Sequence, residues 1–117
     1  VINLEKRPDR LERFKNEIAA SLPDIDISVV EAIDGTLLDL EDPFFKKHVN
    51  RWNYDNLSEK TLRGVIGCCL SHLQCYDLIS KSDDEYSIIF EDDCAFRTEG
   101  KKKMAQTVIN NLQIPEK

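Results

Sequence analysis

The chain has 117 residues, 41% of them hydrophobic and 32% charged, the balance of one ordinary globular domain with a modest core. Sixteen Lys and Arg against 22 Asp and Glu leave a net charge of -6, which argues against a nucleic-acid partner, since that requires a basic face. No apolar run is long enough to cross a membrane.

Val1-Ile2-Asn3-Leu4 is a short apolar strand. It starts the chain without a methionine, so the true N-terminus is expected upstream, and the lack of a leader says nothing about compartment. Lys6-Arg7-Pro8-Asp9-Arg10 suits a strand-to-helix turn with Pro8 in the first helical turn. Leu11, Phe14, Ile18 and Leu22 recur at helical spacing up to Pro23. Arg7 and Arg10 bracket the start of that helix, where free N–H groups and a partial positive charge favour a phosphate; pairing with Asp9 or Glu12 is the competing reading.

Ile25, Ile27 and Val29 alternate and, with Val30 and Ala32, predict a second strand ending in an Asp34-Gly35 turn. A β-α-β order implies parallel neighbours whose exits share one sheet edge, which would bring Asn3, Arg7, Asp34 and the later acids to one crevice. From Thr36 to Thr61 the pattern dissolves into a connection long enough to serve as a lid, with Asp42-Pro43 opening a short helix through Phe44, Phe45 and Val49. Trp52 and Tyr54 in it offer either a stacking surface or a packing anchor.

Leu62 to Ser80 is apolar around most of its circumference and predicts a buried helix. Gly64, Gly67, Cys68, Ser71 and Cys75 form a stripe of small residues on it, and two mid-helix glycines call for a close approach or a function. His72 lies beside the stripe, as a hydrogen-bonded structural histidine or a site residue. Cys68, His72 and Cys75 share a face that raises a zinc site, but the C-x-x-C pairing of structural zinc sites is absent. With Cys69 and Cys94 the cysteines make no disulfide framework, and reduced thiols are expected.

Tyr86-Ser87-Ile88-Ile89-Phe90 reads as a strand buried on both faces, delivering Glu91, Asp92 and Asp93 at its exit. Alternation places Glu91 and Asp93 on one side, where neutralisation by a divalent cation competes with a solvated acidic turn. After Thr98-Glu99-Gly100, Lys101 to Leu112 predicts a last helix, with three lysines opposing its dipole.

In these residues the chain resembles glycosyltransferase family 25: Val1-Ile2-Asn3-Leu4 with Arg7 and Arg10, Ala32-Ile33-Asp34-Gly35, Gly64-Val65-Ile66-Gly67-Cys68 through Ser71-His72, and Ile88-Ile89-Phe90-Glu91-Asp92-Asp93 follow that family's order of blocks. The resemblance implies an α/β, Rossmann-like fold of the GT-A nucleotide-diphospho-sugar transferase type. Residues 1–117 would be a truncated single domain, the N-terminal, donor-binding part of a larger glycosyltransferase domain. It further implies inverting transfer of a hexose, galactose foremost, from a UDP-sugar to a glycan or hydroxylated protein acceptor, with Mn²⁺ or Mg²⁺ as cofactor. By the same resemblance Asp93 and Glu91 are the metal residues; Asn3, Arg7, Arg10, Asp34, Ser71, His72 and Glu91 shape the nucleotide-sugar site; and the catalytic base lies beyond Lys117. The compartment is then the cytoplasm or membrane surface in a bacterium and the secretory-pathway lumen in a eukaryote. Two other classes compete. A phosphoacceptor receiver domain needs acids after the first strand, where this chain is basic, and a truncated module could keep nucleotide binding or scaffolding without catalysis.

Overall fold

The computed structural model describes residues 1–22, 25–49 and 56–95. Trp52, Tyr54, the Thr98–Gly100 turn and the helix expected over Lys101–Leu112 lie outside the described residues.

The elements run β1 (Ile2–Asn3), α1 (Pro8–Ser21), β2 (Val30–Glu31), a 3-10 turn (Gly35–Leu37), α2 (Pro43–His48) and α3 (Glu59–Ser80). β1 and β2 are parallel, with Ile2 opposite Val30 and Asn3 opposite Glu31, as the β-α-β order requires. On its other edge β1 meets Glu91 in a parallel bridge: Ile2 N–H donates to the Phe90 carbonyl at 2.9 Å, and Asp92 N–H donates to the Ile2 carbonyl at 3.2 Å. β1 is therefore the middle of the layer, flanked by β2 and the segment around Glu91.

The expectation of a doubly buried strand over Tyr86–Phe90 is corrected here. Among the described residues only its end pairs, and Tyr86 and Ile88 remain 52% and 46% exposed. An apolar β-branched run reports that burial suits the residues, but not that another layer covers both of its faces. Likewise the second strand shrinks to Val30–Glu31, while Ile25 and Ile27 pack against α1 without joining a ladder.

Each helix begins where its chemistry allows. Pro8 opens α1, where its missing N–H costs nothing. Asp42 caps α2 by accepting the Phe44 N–H at 2.7 Å, and Ser58 caps α3 by accepting that of Thr61 at 3.2 Å, which starts α3 one turn before the expected Leu62. Phe14 and Ile18 of α1, with Leu22 just after it, pack against Ile25, Ile27, Phe90 and Cys94, and the Phe14 and Phe90 rings are 5.5 Å apart. A second cluster joins Leu40, Leu62 and Ile66 with Phe45 and Val49 of the long connection.

α3 is not buried all round, as its composition suggested. It buries Leu62, Ile66, Gly67, Ser71 and Cys75 along one face and leaves Leu73, Tyr76 and Leu78 exposed. That face lies on the exit of β2. Ser71 Oγ donates to the Gly67 carbonyl at 2.7 Å and accepts the Ile33 N–H at 2.9 Å, which satisfies a strand-exit donor with no ladder partner. A Cβ on Gly67 would stand 2.7 Å from the Ile33 carbonyl oxygen and 2.8 Å from the Gly35 nitrogen. The close approach anticipated from the small-residue stripe is thus located at Gly67, whereas a Cβ on Gly64 would meet nothing within 4 Å.

The two glycines should separate on substitution. In the whole protein, Gly67→Ala is expected to lose about 1–3 kcal/mol, because backbone rather than a pliable side chain must give way. Gly64→Ala should gain about 0.5–1 kcal/mol from helix propensity. Urea unfolding of the two variants measures both, and equal effects would refute the packing role of Gly67.

Candidate functional site

The exit of β1 determines where the acids stand. Asn3 is buried and its Nδ2 donates twice, to the Arg7 carbonyl at 3.0 Å and to Asp92 Oδ2 at 2.6 Å. The first bond shapes the strand-to-helix turn, and the second fastens the acidic triplet to it across the sheet. Arg10, one turn into α1, reaches Asp92 Oδ1 at 2.7 Å and Asp93 Oδ2 at 2.8 Å, while Arg13 donates to the Asp92 carbonyl at 3.2 Å. Asp92 is only 6% exposed and every charge on it is answered. A buried carboxylate with an amide and a guanidinium as partners is a structural anchor.

The alternation expected along the triplet stops at Asp92. The Cys94 N–H donates to the Glu91 carbonyl at 3.0 Å, closing a tight turn over residues 91–94 in place of extended chain. Asp93 accordingly shares Arg10 with Asp92, and Glu91 faces α3. Glu91 Oε1 lies 3.0 Å from His72 Nε2 and 3.6 Å from Cys68 Sγ. The side chains of Asp93 and Glu91 are 61% and 50% exposed. Cys68, His72 and Glu91 place one ligand atom each within 4.8 Å of one another. Cys75, the third member of the face considered for zinc, is buried in the helix-to-sheet seam and stands outside that group.

The other site candidates fall around this centre. Arg7 is paired with Asp9 through Nε and Nη2, at 2.9 and 2.8 Å, so it lies at the rim of the β1 turn. Asp34, at the exit of β2, accepts the Thr36 N–H at 3.0 Å and the Thr36 hydroxyl at 2.7 Å, and pairs with Lys6. Ser71 is inside the helix-to-sheet seam, while His72, its neighbour, looks out toward Glu91.

These contacts move the titrations. The ammonium of Lys6, then the hydroxyl and N–H of Thr36, pull the Asp34 carboxyl down to about 2. Arg7 does the same to Asp9, also to about 2. Burial first, and then the Glu91 carboxylate, push the Cys68 thiol up, so the thiol holds its proton at neutral pH.

Sequence reasoning missed Arg13, Lys6 and the anchoring role of Asp92. For the arginines a signal existed, since Arg10 and Arg13 are three apart and so share a helix face. Asp92 carried none, because three adjacent acids look alike until the fold buries one.

The strand exits of the parallel α/β layer thus gather acids, basic side chains and a histidine, at the end of the sheet where ligands bind in open α/β folds. Residues 1–115 match the family described as Glycosyltransferase family 25 (LPS biosynthesis protein), and the chain belongs to that family. It is similar to procollagen galactosyltransferase 2 of Mus musculus, 30% identical over 89% of this chain and 17% of that one, and to its Homo sapiens counterpart, 31% identical over 94% and 18%. It is also similar to the inactive glycosyltransferase 25 family member 3 of Homo sapiens, 33% identical over 84% of this chain and 16% of that one. The chain therefore spans less than a fifth of the length of these relatives. No solved structure is significantly similar to it.

Two measurements probe the anchors. Replacing Asp92 by Asn leaves Arg10 with Asp93 alone and should cost about 2 kcal/mol in chemical unfolding, whereas Asp93→Asn, at an exposed pair, should cost under about 1 kcal/mol. Asp34 has its carboxyl held below the unfolded value of about 3.9, so its contribution to stability is full above that value and disappears as pH falls through about 2. A carboxyl NMR titration should find that low midpoint, and Lys6→Ala should return it toward the ordinary range; an unmoved midpoint would discard the Lys6 pairing.

Proposed function

We propose that this chain forms the donor-binding half of a GT-A-type glycosyltransferase domain. It would serve inverting transfer of galactose from a UDP-sugar to a hydroxyl on a glycan or on hydroxylated protein, with Mn²⁺ or Mg²⁺ at the acids. The observation that carries the reading is the Asn3 bond to Asp92, which fixes the acidic triplet beside the turn at the start of α1. Family membership supports glycosyl transfer, and the galactosyltransferase relatives support the sugar.

The residues present suit a hard cation. Asp93 and Glu91 are exposed, and among the described residues Asp93 Oδ1 and Glu91 Oε2 have no protein partner. Magnesium and manganese take one or two carboxylates and complete their shells with phosphate and water. When bound, the ion would screen the diphosphate and ease its departure as leaving group. Arg10 holds Asp93 in place by bonding its other oxygen. Arg7 would exchange Asp9 for a phosphate oxygen at little cost, because an exposed ion pair contributes at most about 1 kcal/mol. Asp34 would approach the base or ribose from the exit of β2. The acceptor's proton goes to a carboxylate base outside these residues.

A second reading has its own support: an inactive family member is 33% identical to this chain over 84% of it, an identity like that of the galactosyltransferases. In it the same crevice keeps nucleotide affinity or only the fold.

Calorimetric titration of UDP into the whole protein with Mn²⁺ or Mg²⁺ tests the donor site. Metal-dependent binding is expected, with Asp93→Asn weakening it by at least about tenfold, the equivalent of 1.4 kcal/mol, while the circular dichroism stays unchanged. Absence of UDP binding with either ion would remove the proposal. Binding without galactose release or transfer from UDP-galactose would favour the non-catalytic reading.

A further inference from the structure

We infer that Cys68, His72 and Glu91 form a second metal site, for a thiophilic borderline ion of the Zn²⁺ class, distinct in donor chemistry from an all-oxygen site at Asp93. Cys68 and His72 are four apart on α3, the spacing that lays two ligands on one helix face. The chain brings the third from the opposite side, where the strand exit sets Glu91 against that face. One sulfur, one nitrogen and one oxygen are ligands zinc accepts together, whereas Mg²⁺ and Ca²⁺ disfavour the sulfur.

The distances fit. In a tetrahedral zinc site with bonds of about 2.0–2.3 Å, ligand atoms stand about 3.3–3.6 Å apart. Sγ to Oε1 is 3.6 Å, Nε2 to Oε1 is 3.0 Å, and all three ligand atoms lie within 4.8 Å of one another, so gathering them around one ion takes side-chain adjustments of about 1 Å or less. Cys68 is exposed and His72 partly so, which gives an ion a path in. Three protein ligands leave a fourth position for water or another donor. The thiol proton is released on binding, so the ion meets a thiolate, a neutral imidazole and a carboxylate.

Two consequences follow from this site. It clamps α3 to the exit beside β1, so zinc raises the melting temperature by mass action. It also engages Glu91 through Oε1 from the α3 side, so the two sites share that carboxylate, and only Cys68 and His72 belong to the zinc site alone.

Co²⁺ titration of the reduced whole protein, with Mg²⁺ in excess to fill hard sites, tests the inference spectroscopically. The expected result is one equivalent showing thiolate-to-cobalt charge transfer and tetrahedral visible bands, displaced by one equivalent of Zn²⁺. Cys68→Ser should abolish the charge-transfer band, His72→Gln and Glu91→Gln should each weaken Zn²⁺ binding at least about tenfold, and Cys69→Ser and Cys75→Ser should leave both unchanged. Circular dichroism confirms folding of each variant. A spectrum without the thiolate band, or one that survives in Cys68→Ser, overturns the site. UDP binding is not a readout here, so failure of this site and failure of the donor site are told apart.

Discussion

The bond from the Asn3 amide to Asp92 is the constraint on which the rest of the molecule depends. It joins the second position of β1 to a residue 89 places later, in a buried setting where an unanswered carboxylate would be costly. Asn3 suits the position because its amide donates to two acceptors at once, one on the turn toward α1 and one on the triplet. Arg10 completes the charge balance and carries the pairing on to Asp93. The acids are held at the strand exit by a network that also fixes the start of α1, so neither can move without the other.

A second tie sets the opposite wall. Gly67 admits the backbone of Ile33 and Gly35 against α3, and Ser71 closes the contact by taking the Ile33 N–H. With α3 drawn down onto the exit of β2, the residue after Ser71 is turned toward Glu91. Small residues and a hydroxyl thus determine which way a histidine faces, although none of them touches the acids.

Much of this was legible before any coordinates. The starts of α1 and α2, the parallel β-α-β unit and the meeting of Asn3 with the acids follow from proline and aspartate placement, helical spacing and the handed crossover. What could not be read was position within the layer. Ile88 and Ile89 have the residue types of a central strand, but local sequence does not say whether a neighbour lies on each side, and here β1 takes the middle. Nor could alternation reveal that the chain turns at residues 91–94 and sends Asp93 toward Arg10 while Glu91 goes to α3. Register within a turn is set by one backbone bond, from Cys94 to Glu91, that leaves no periodic trace.

The triplet therefore divides its labour by burial. Asp92 is the inner residue and answers to the fold; Asp93 and Glu91 are the outer ones, with exposed side chains paired to Arg10 and His72. An acid committed to Asn3 and Arg10 tolerates no ligand exchange, because releasing either partner strands a charge in low dielectric. Exposed acids with one oxygen held and the other open can change partners at small cost. The same division separates what family membership establishes from what it leaves to chemistry. Relatives named as galactosyltransferases and relatives named as inactive share about the same identity with this chain, 31% and 33%, so similarity over this unit does not by itself separate the two. Activity would then turn on the outer carboxylates and on residues supplied by the remaining length of such proteins, over which the fold of this unit has no control.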